Sequence, residues 1–451
     1  MSYDVTVVGG GLSGLSAAVD LCSRGCKVLV LEQRPRPGGR TYSFLDETTG
    51  DVVDNGQHLM MGCYHETRGY LKQIGSDRLA TLQPNLHIDF LHPEKGFASL
   101  SCPPLVAPLH ILGGLLGLAT LSFSDRLKLL RVGVELQWSS SEKERRLEAM
   151  TVEEWLTKLG QSDENRKYLW DIIAIGTLND KPTTVSALLF FRILRAAFLG
   201  SKENSCLLIP RCGLTELLVD PAVTFIQSRG GKVRTGCGGK RFEIQGSNIQ
   251  RLLCDDKSVV ESRIYISAVP YYALPGLLNN EMSKSASRFE SSPIMTINLW
   301  LDREILDKEF VALLDSRVQW VFNKTRMFGK KNRKSGQYLS LVISGAGEYL
   351  ELDKAKLVEI AVEDLQRAIG GMREARVIHS VVIKEKRATF SPKPGTEALR
   401  PSAKTNVENL FLAGDWTSTG YPATIEGAVM SGRKAANEAI SLLRARGRSF
   451  H

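Results

Sequence analysis

The first 32 residues leave this chain few options. Residues 4–8, DVTVV, form an apolar strand. Gly9, Gly11 and Gly14 follow in the spacing GxGxxG, SGLSAAVDLCSRG continues as a helix presenting Leu15, Ala18 and Leu21, and KVLVLE makes a second strand ending at Glu32. Strand, glycines, helix, strand and terminal acid in that order mark a dinucleotide-binding unit. The first glycine permits a tight turn, the second lets backbone approach a pyrophosphate, and the third lets the helix pack closely on the strand. The helix start offers unpaired amides to the phosphates. Glu32, 21 residues past Gly11, can accept hydrogen bonds from an adenosine ribose. The expected fold class is α/β.

RPRPGGRTYS places Gly38, Gly39 and Arg40 directly after the second strand. Two glycines let backbone crowd a cofactor, and an arginine fork pairs with phosphate. Near the far end, NLFLAGDWTSTGYPATIEGAVMSGRKAANEAI reads as a strand over 410–413, a turn at Gly414 and Asp415, and a helix from about Thr424.

These two segments together resemble the GG-doublet flavoprotein superfamily of amine oxidases and carotenoid desaturases. The resemblance implies FAD as cofactor, with the doublet and Arg40 against its phosphates and Gly414 and Asp415 against the ribityl and phosphate region. It places Thr424 and Ile425, with Glu426 and Gly427, at the pyrimidine end of the flavin, where the positive end of a helix stabilises negative charge. A mixed α/β and α+β architecture follows. A Rossmann-like FAD domain is expected from residues 1–89, 206–290 and 396–451, interleaved with a substrate domain of sheet plus helices from 90–205 and 291–395. Within the former, GGKVRTGCGGKRFEI and SRIYISAVP read as a small sheet and a returning strand. The basic cluster NKTRMFGKKNRKSG, 323–336, reads as an exposed hairpin or loop, or else a membrane or redox-partner face.

Between the doublet and the substrate domain lies VDNGQHLMMGCY, 53–64, which gathers Asp54, Asn55, Gln57 and His58 around Gly56. Chain leaving the doublet must run along the isoalloxazine, so Gly56 is expected at the cofactor and His58, Asp54 and Gln57 in catalysis. Tyr421 and Thr417 are weaker candidates for lining the site. The competing readings are a structural turn with a satisfied histidine and a metal site from His58, His65 and Glu66. The spacing of those three offers no convincing ligand set, and no metal is expected.

DNGQHLMMGCYHET, LAGDWTSTGYPATIEGAVMSGRKAA, IGTLNDKPTTVSALLF and LLIPRCGLTELLVDPAVTFIQSRGGKV resemble the hydroxysqualene dehydroxylase family across nearly the whole chain. Asp180 and Lys181 depart from the small residue and proline expected there, and Asn204-Ser205-Cys206 replaces a more acidic approach to Pro210. The substrate pocket should differ accordingly. The resemblance implies reductive removal of the hydroxyl of a C30 isoprenoid, giving squalene on the way to hopanoids. The alternatives are a carotenoid desaturase or isomerase, then an amine oxidase or a carrier of prenylated cargo. Hydroxide leaves poorly, so an acid must protonate it, a gain of roughly 100- to 10,000-fold. Reduced flavin can then deliver hydride to the allylic cation if water is excluded. His58, or a water held by Asp54, Asn55 and Gln57, is the expected proton source. No second nucleotide fingerprint is present, so electrons come from a separate reductase or a transient NAD(P)H contact.

At 451 residues with 43% hydrophobic and 24% charged side chains, the chain suits two or three globular domains. A net charge of +9 fits an anionic membrane surface or a phosphorylated ligand. Nucleic acid is not expected, because the basic residues are scattered with no aromatic-basic motif among them. Eight cysteines without CxxC pairs and a strand rather than a charged leader at the N-terminus point to a reduced, cytoplasmic protein. Residues 96–124 carry no charge, yet three prolines and His110 interrupt them, and the clean apolar run is about 13 residues, short of the roughly 20 a span requires. Ser124 reads as the cap of a following helix bearing Arg126, Lys128 and Arg131. The segment near 103–131 is therefore either a buried helix with an amphipathic neighbour or a peripheral membrane contact. At about 0.8 kcal/mol per methylene-sized group, a C30 isoprenoid favours lipid over water by on the order of 20 kcal/mol. That makes 105–123 the expected doorway, with Leu112, Leu115 and Leu116 in contact with lipid.

Overall fold

The computed structural model describes residues 3–278, 281–329 and 336–447. Its first sheet has five parallel strands, in the order Lys232–Thr235, Val28–Glu32, Tyr3–Val8, Ser262–Ser267, Leu410–Leu412. Val28–Glu32 is buried throughout, as a parallel strand covered on both faces must be. Helices Leu12–Ser23 and Ile425–Ala445 pack against each other so closely that a Cβ on Gly432 would lie 2.2 Å from the Ser13 carbonyl oxygen. Ser16 Oγ donates to the Val429 carbonyl at 2.9 Å across that contact. Segments from the start, middle and end of the chain thus share one core. GGKVRTGCGGKRFEI divides: its first part forms the edge strand of this sheet, and its second, Gly239–Gln245, opens a small antiparallel sheet with Asn248–Cys254 and Val259–Val260.

The second sheet has seven strands, ordered Val377–Phe390, Ser291–Leu301, Gln337–Ser344, Trp320–Asn323, Phe310–Leu313, His87–His92, Gly96–Ser101. Every pairing is antiparallel except Phe310–Leu313 with His87–His92. Because His87–His92 belongs to this sheet, a division at 89/90 would cut a strand.

Successive residues of a strand point to opposite faces, and here they serve different neighbours. Leu91, Val311, Val321, Leu341 and Ile343 join Leu357, Ile360 and Leu365 of helix Lys354–Ala368 in one core. Their neighbours Phe90, Ala312, Phe322 and Val342 meet Leu129, Val132, Trp155, Trp170 and Phe190 of a helical block. Along Ser291–Leu301, Met295, Ile297, Leu299 and Leu301 face helix Lys354–Ala368. Trp300 instead packs on Val53 and donates to Asp51 at 2.7 Å. The stretch 51–58 is therefore laid against the sheet at the seam between the two domains.

Two expectations change. In the basic cluster 323–336, Asn323 and Lys324 are buried and Lys324–Met327 forms a helical turn; Lys330 to Ser335 lie outside the described residues. The apolar segment forms the short helix Leu109–Leu116, followed by Phe123–Glu135, which is capped by Ser122 accepting from the Asp125 amide, not by Ser124. Among the described residues no helix is long and apolar enough to cross a membrane.

Candidate functional site

The glycines of the first turn do different work. Gly9 has φ +110°, and a Cβ there would stand 2.7 Å from the Ala268 carbonyl oxygen; one on Gly14 would stand 1.9 Å from the Gly9 oxygen. Both are required by the fold itself. A Cβ on Gly11 would meet nothing nearer than Gly39 Cα at 3.9 Å, so packing does not explain that glycine. Gly11 is also the N-cap of Leu12–Ser23 and supplies no side-chain cap, which leaves first-turn amides available. Room in front of a glycine beside free amides is what a pyrophosphate needs. The doublet is fastened to this turn: the Gly38 amide donates to the Gly10 carbonyl at 2.8 Å, and Gly38 and Gly39 have φ +107° and +61°. Glu32 accepts from the Gly10 amide at 2.8 Å and the Arg34 amide at 2.9 Å. Its two bonds hold the glycine loop and leave lone pairs for a ribose.

Arg40 reaches the far motif. Its Nη2 donates to Asp415 Oδ2 at 2.7 Å and its Nη1 to the Ala388 carbonyl at 2.6 Å. Gly414, at φ +148°, donates through its amide to Ser431 Oγ at 2.9 Å. Arg400 escaped the sequence reading. It is buried, donates to the Asp415 carbonyl at 3.0 Å and to Thr419 Oγ1 at 2.8 Å, and pairs with Glu397 at 2.8 Å. An isolated arginine in a loop carries no motif that would have revealed it.

Thr424 caps Ile425–Ala445, its Oγ1 accepting from the Gly427 amide at 3.1 Å, and Ile425 is buried at the first helical position. Glu426 turns away toward another helix. It accepts from the Glu66 and Thr67 amides at 3.0 and 2.9 Å and from Thr67 Oγ1 at 2.6 Å, so it caps His65–Ile74. Thr417 closes its own turn on the Gly414 carbonyl at 2.8 Å.

The cluster 54–58 departs most from expectation. Asp54 is engaged by the protein on both oxygens: Oδ1 accepts from Ser43 Oγ at 2.7 Å and the Leu214 amide at 2.9 Å, while Oδ2 pairs with Lys324 Nζ at 2.7 Å. Gln57 is occupied as well, Oε1 accepting from Lys324 and Nε2 donating to the His58 carbonyl at 3.2 Å. Both residues brace the loop. Asn55 donates to the Arg40 carbonyl at 3.1 Å and to Glu385 at 3.3 Å, and its buried Oδ1 has no partner among the described residues. A Cβ on Gly56 would make only ordinary contacts, 3.7 Å from His58 Cε1 and Thr296 Oγ1.

His58 has a defined tautomer. Its Nδ1 lies 2.7 Å from the Gly56 carbonyl oxygen, which can only accept, so Nδ1 carries a proton. Among the described residues Nε2 has no hydrogen-bond partner. Burial pushes the imidazole below its ordinary value against an opposing pull from the Gly56 carbonyl and Asp54. The competing metal set of His58, His65 and Glu66 does not converge among the described residues, and Glu66 pairs with Arg433. The group of metal-ligating atoms that does converge among the described residues is Cys237, Cys254 and Asp256, and there Asp256 already pairs with Arg234.

The glycine turn, the doublet and the Gly414 turn from the far end of the chain meet in one place, the arrangement of a flavin-dependent oxidoreductase of split-domain architecture. The family model of the flavin containing amine oxidoreductases matches residues 12–440, and the chain belongs to that family. It is 30% identical to a hydroxysqualene dehydroxylase from Sinorhizobium fredii over 98% of this chain and 99% of the relative. It is 24% identical to a 15-cis-phytoene desaturase from Solanum lycopersicum over 97% of this chain and 77% of that one. A putrescine oxidase variant shares the fold at a TM-score of 0.75 and 16% identity, over 98% and 99% of the two chains.

Proposed function

We propose that this protein is an FAD-dependent hydroxysqualene dehydroxylase that replaces the hydroxyl of a C30 allylic alcohol with hydrogen, yielding squalene and water. The observation that carries this reading is end-to-end likeness to a dehydroxylase at 30% identity, combined with an intact cradle at Gly11, Gly39 and Arg40. Bound reduced FAD would supply the hydride. The chain's own part is to bind, to exclude water and to place a proton. For placing the proton the suited group is His58. With Nδ1 held by the Gly56 carbonyl, a second proton on Nε2 is the one it can give to the departing hydroxyl. Burial favours its neutral form, so the acid is strong once charged and the reaction gains as pH falls.

A peripheral contact with an anionic membrane belongs to the same reading. Phe123, Leu127, Leu130, Val134 and Trp138 are exposed at helical spacing on Phe123–Glu135 and just beyond it, while Leu129, Val132 and Leu136 of the same stretch are buried. Leu105, Val106, Leu109 and Leu116 are exposed nearby. One helix with an apolar face inward and another outward, carrying Arg126, Lys128 and Arg131, suits a bilayer surface. It would let a substrate that avoids water pass from lipid to protein.

Anaerobic incubation of the flavin-loaded protein, photoreduced, with hydroxysqualene should yield squalene. Absence of squalene, or a desaturated product formed with oxidised flavin, would overturn the assignment in favour of the desaturase reading.

A further inference from the structure

Lys324 is 2% exposed, and its ammonium is engaged across the domain seam. Its backbone opens the helical turn that follows strand Trp320–Asn323 of the seven-stranded sheet. Asn323 before it donates to the Leu306 and Lys308 carbonyls at 2.8 and 3.1 Å, and Thr325 after it accepts from the Tyr338 amide at 2.7 Å. Its side chain crosses to the loop that carries His58. An ammonium has three donors. Two go to Asp54 Oδ2, at 2.7 Å, and Gln57 Oε1, and the ammonium sits 3.6 Å from the centre of the Phe328 ring.

A buried ion pair is a poor source of stability, since well-packed apolar residues in its place are often as stable or more so. Its use must be sought in what it orients. Lys324 takes the oxygen of the Gln57 amide, which turns the Gln57 nitrogen onto the His58 carbonyl at 3.2 Å. Asp54 is pinned on its other oxygen by Ser43 and the Leu214 amide, so the pair cannot drift as a unit.

We propose that Lys324 is a positioning residue: with Asp54 it fixes the placement of His58 and sets the proton affinity of that imidazole. The proposal rests on the dehydroxylase reading only for what His58 does, not for how it is held. The charged groups acting on His58 come from three elements. Asp54, at the end of strand Val52–Asp54, favours the charged ring, while Arg40 from the doublet loop and Lys324 from the helical turn after strand Trp320–Asn323 oppose it. Glu385, on strand Val377–Phe390, meets the loop through Asn55.

The test is a proton NMR titration of His58 in the FAD-loaded protein, its signal assigned by loss in His58→Gln. Lys324→Met removes the opposing charge and should raise the His58 pKa by about half a unit or more; Asp54→Asn should lower it by a similar amount. The double variant keeps the packing without a stranded charge, should return the value toward wild type, and serves if a single variant fails to fold; Lys324→Arg, which keeps the charge, should stay close to wild type. Shifts of the same sign in both single variants, or a double variant that fails to return toward wild type, would overturn the proposal. Squalene formation is followed in parallel. Opposite shifts with no turnover in any variant, wild type included, would sink the dehydroxylase reading and leave the positioning role standing.

Discussion

Arg40 and Asp415, 375 positions apart, are joined by an ion pair of 2.7 Å. The contact ties the glycine doublet to the Gly414 turn, so each half of the cradle depends on the other for its position. Arg400 holds the same turn from the opposite side through the Asp415 carbonyl.

Breaking that tie should loosen the cofactor more than the fold, because Arg40 is itself partly exposed. Replacing Arg40 with Met should weaken FAD binding by about 10- to 100-fold, the loss expected for a charged hydrogen bond. The ratio of flavin absorbance to protein after dialysis would show it. Wild-type flavin content in the variant would contradict the linkage.

Gly11 and Gly14 should separate binding from stability. Alanine at Gly11 has 3.9 Å of clearance, so its stability should stay within about 0.5 kcal/mol of wild type while flavin is lost. Alanine at Gly14 meets the Gly9 oxygen at 1.9 Å and should cost at least about 1–3 kcal/mol through overpacking. Thermal melting of the apoprotein and flavin titration measure the two effects; equal melting temperatures would refute the distinction.

The pH dependences of stability and rate should run in opposite directions. His58 has a folded pKa below its ordinary value, so the unfolded chain binds the proton more readily. Its contribution to stability is complete above about pH 6.5 and is lost as pH falls through the folded pKa. If protonated His58 is the acid, turnover rises across that same low-pH window and falls as pH increases through it. His58→Ala should keep FAD and lose turnover by about 100-fold or more. A rate independent of pH below 6.5, or full activity in His58→Ala, would remove His58 from the chemistry.

For the membrane contact, the side chains to change are Phe123, Leu127 and Leu130. Leu112 and Leu115, expected from the sequence to face lipid, are only half exposed. Serine at the three outward positions should leave the melting temperature near wild type and reduce partitioning onto anionic liposomes by about 100-fold or more, given roughly 1.5–3 kcal/mol for each fully buried side chain. Co-sedimentation with vesicles measures it, and unchanged partitioning would rule out this face.

The Rossmann-like unit was legible within 32 residues, because its requirements are local. A turn of positive φ at Gly9, a helix start without a cap at Gly11 and two strands of buried residues are conditions on neighbouring backbone, and few sequences meet them by accident. Cys22, Cys26, Cys63 and the other thiols are buried, and among the described residues they form no disulfide. The Gly414-Asp415 turn was legible for the same reason; that it meets the doublet at one cofactor was read only from resemblance, and its ion pair with Arg40 was not read at all.

What tertiary structure alone decided is where charge and apolar surface end up. Lys324 stood in a run of basic residues that reads as a solvated loop, and it became the buried partner of an aspartate 270 positions away. Asp54 and Gln57 had the composition of catalytic groups, and that same lysine drew them into bracing the loop. Phe123, Leu127 and Leu130 were part of an apolar segment whose outward face appeared only once its inward face had been taken by the helical block. Backbone geometry is constrained residue by residue and can be read in order. The burial of a side chain depends on which distant group the completed fold brings against it.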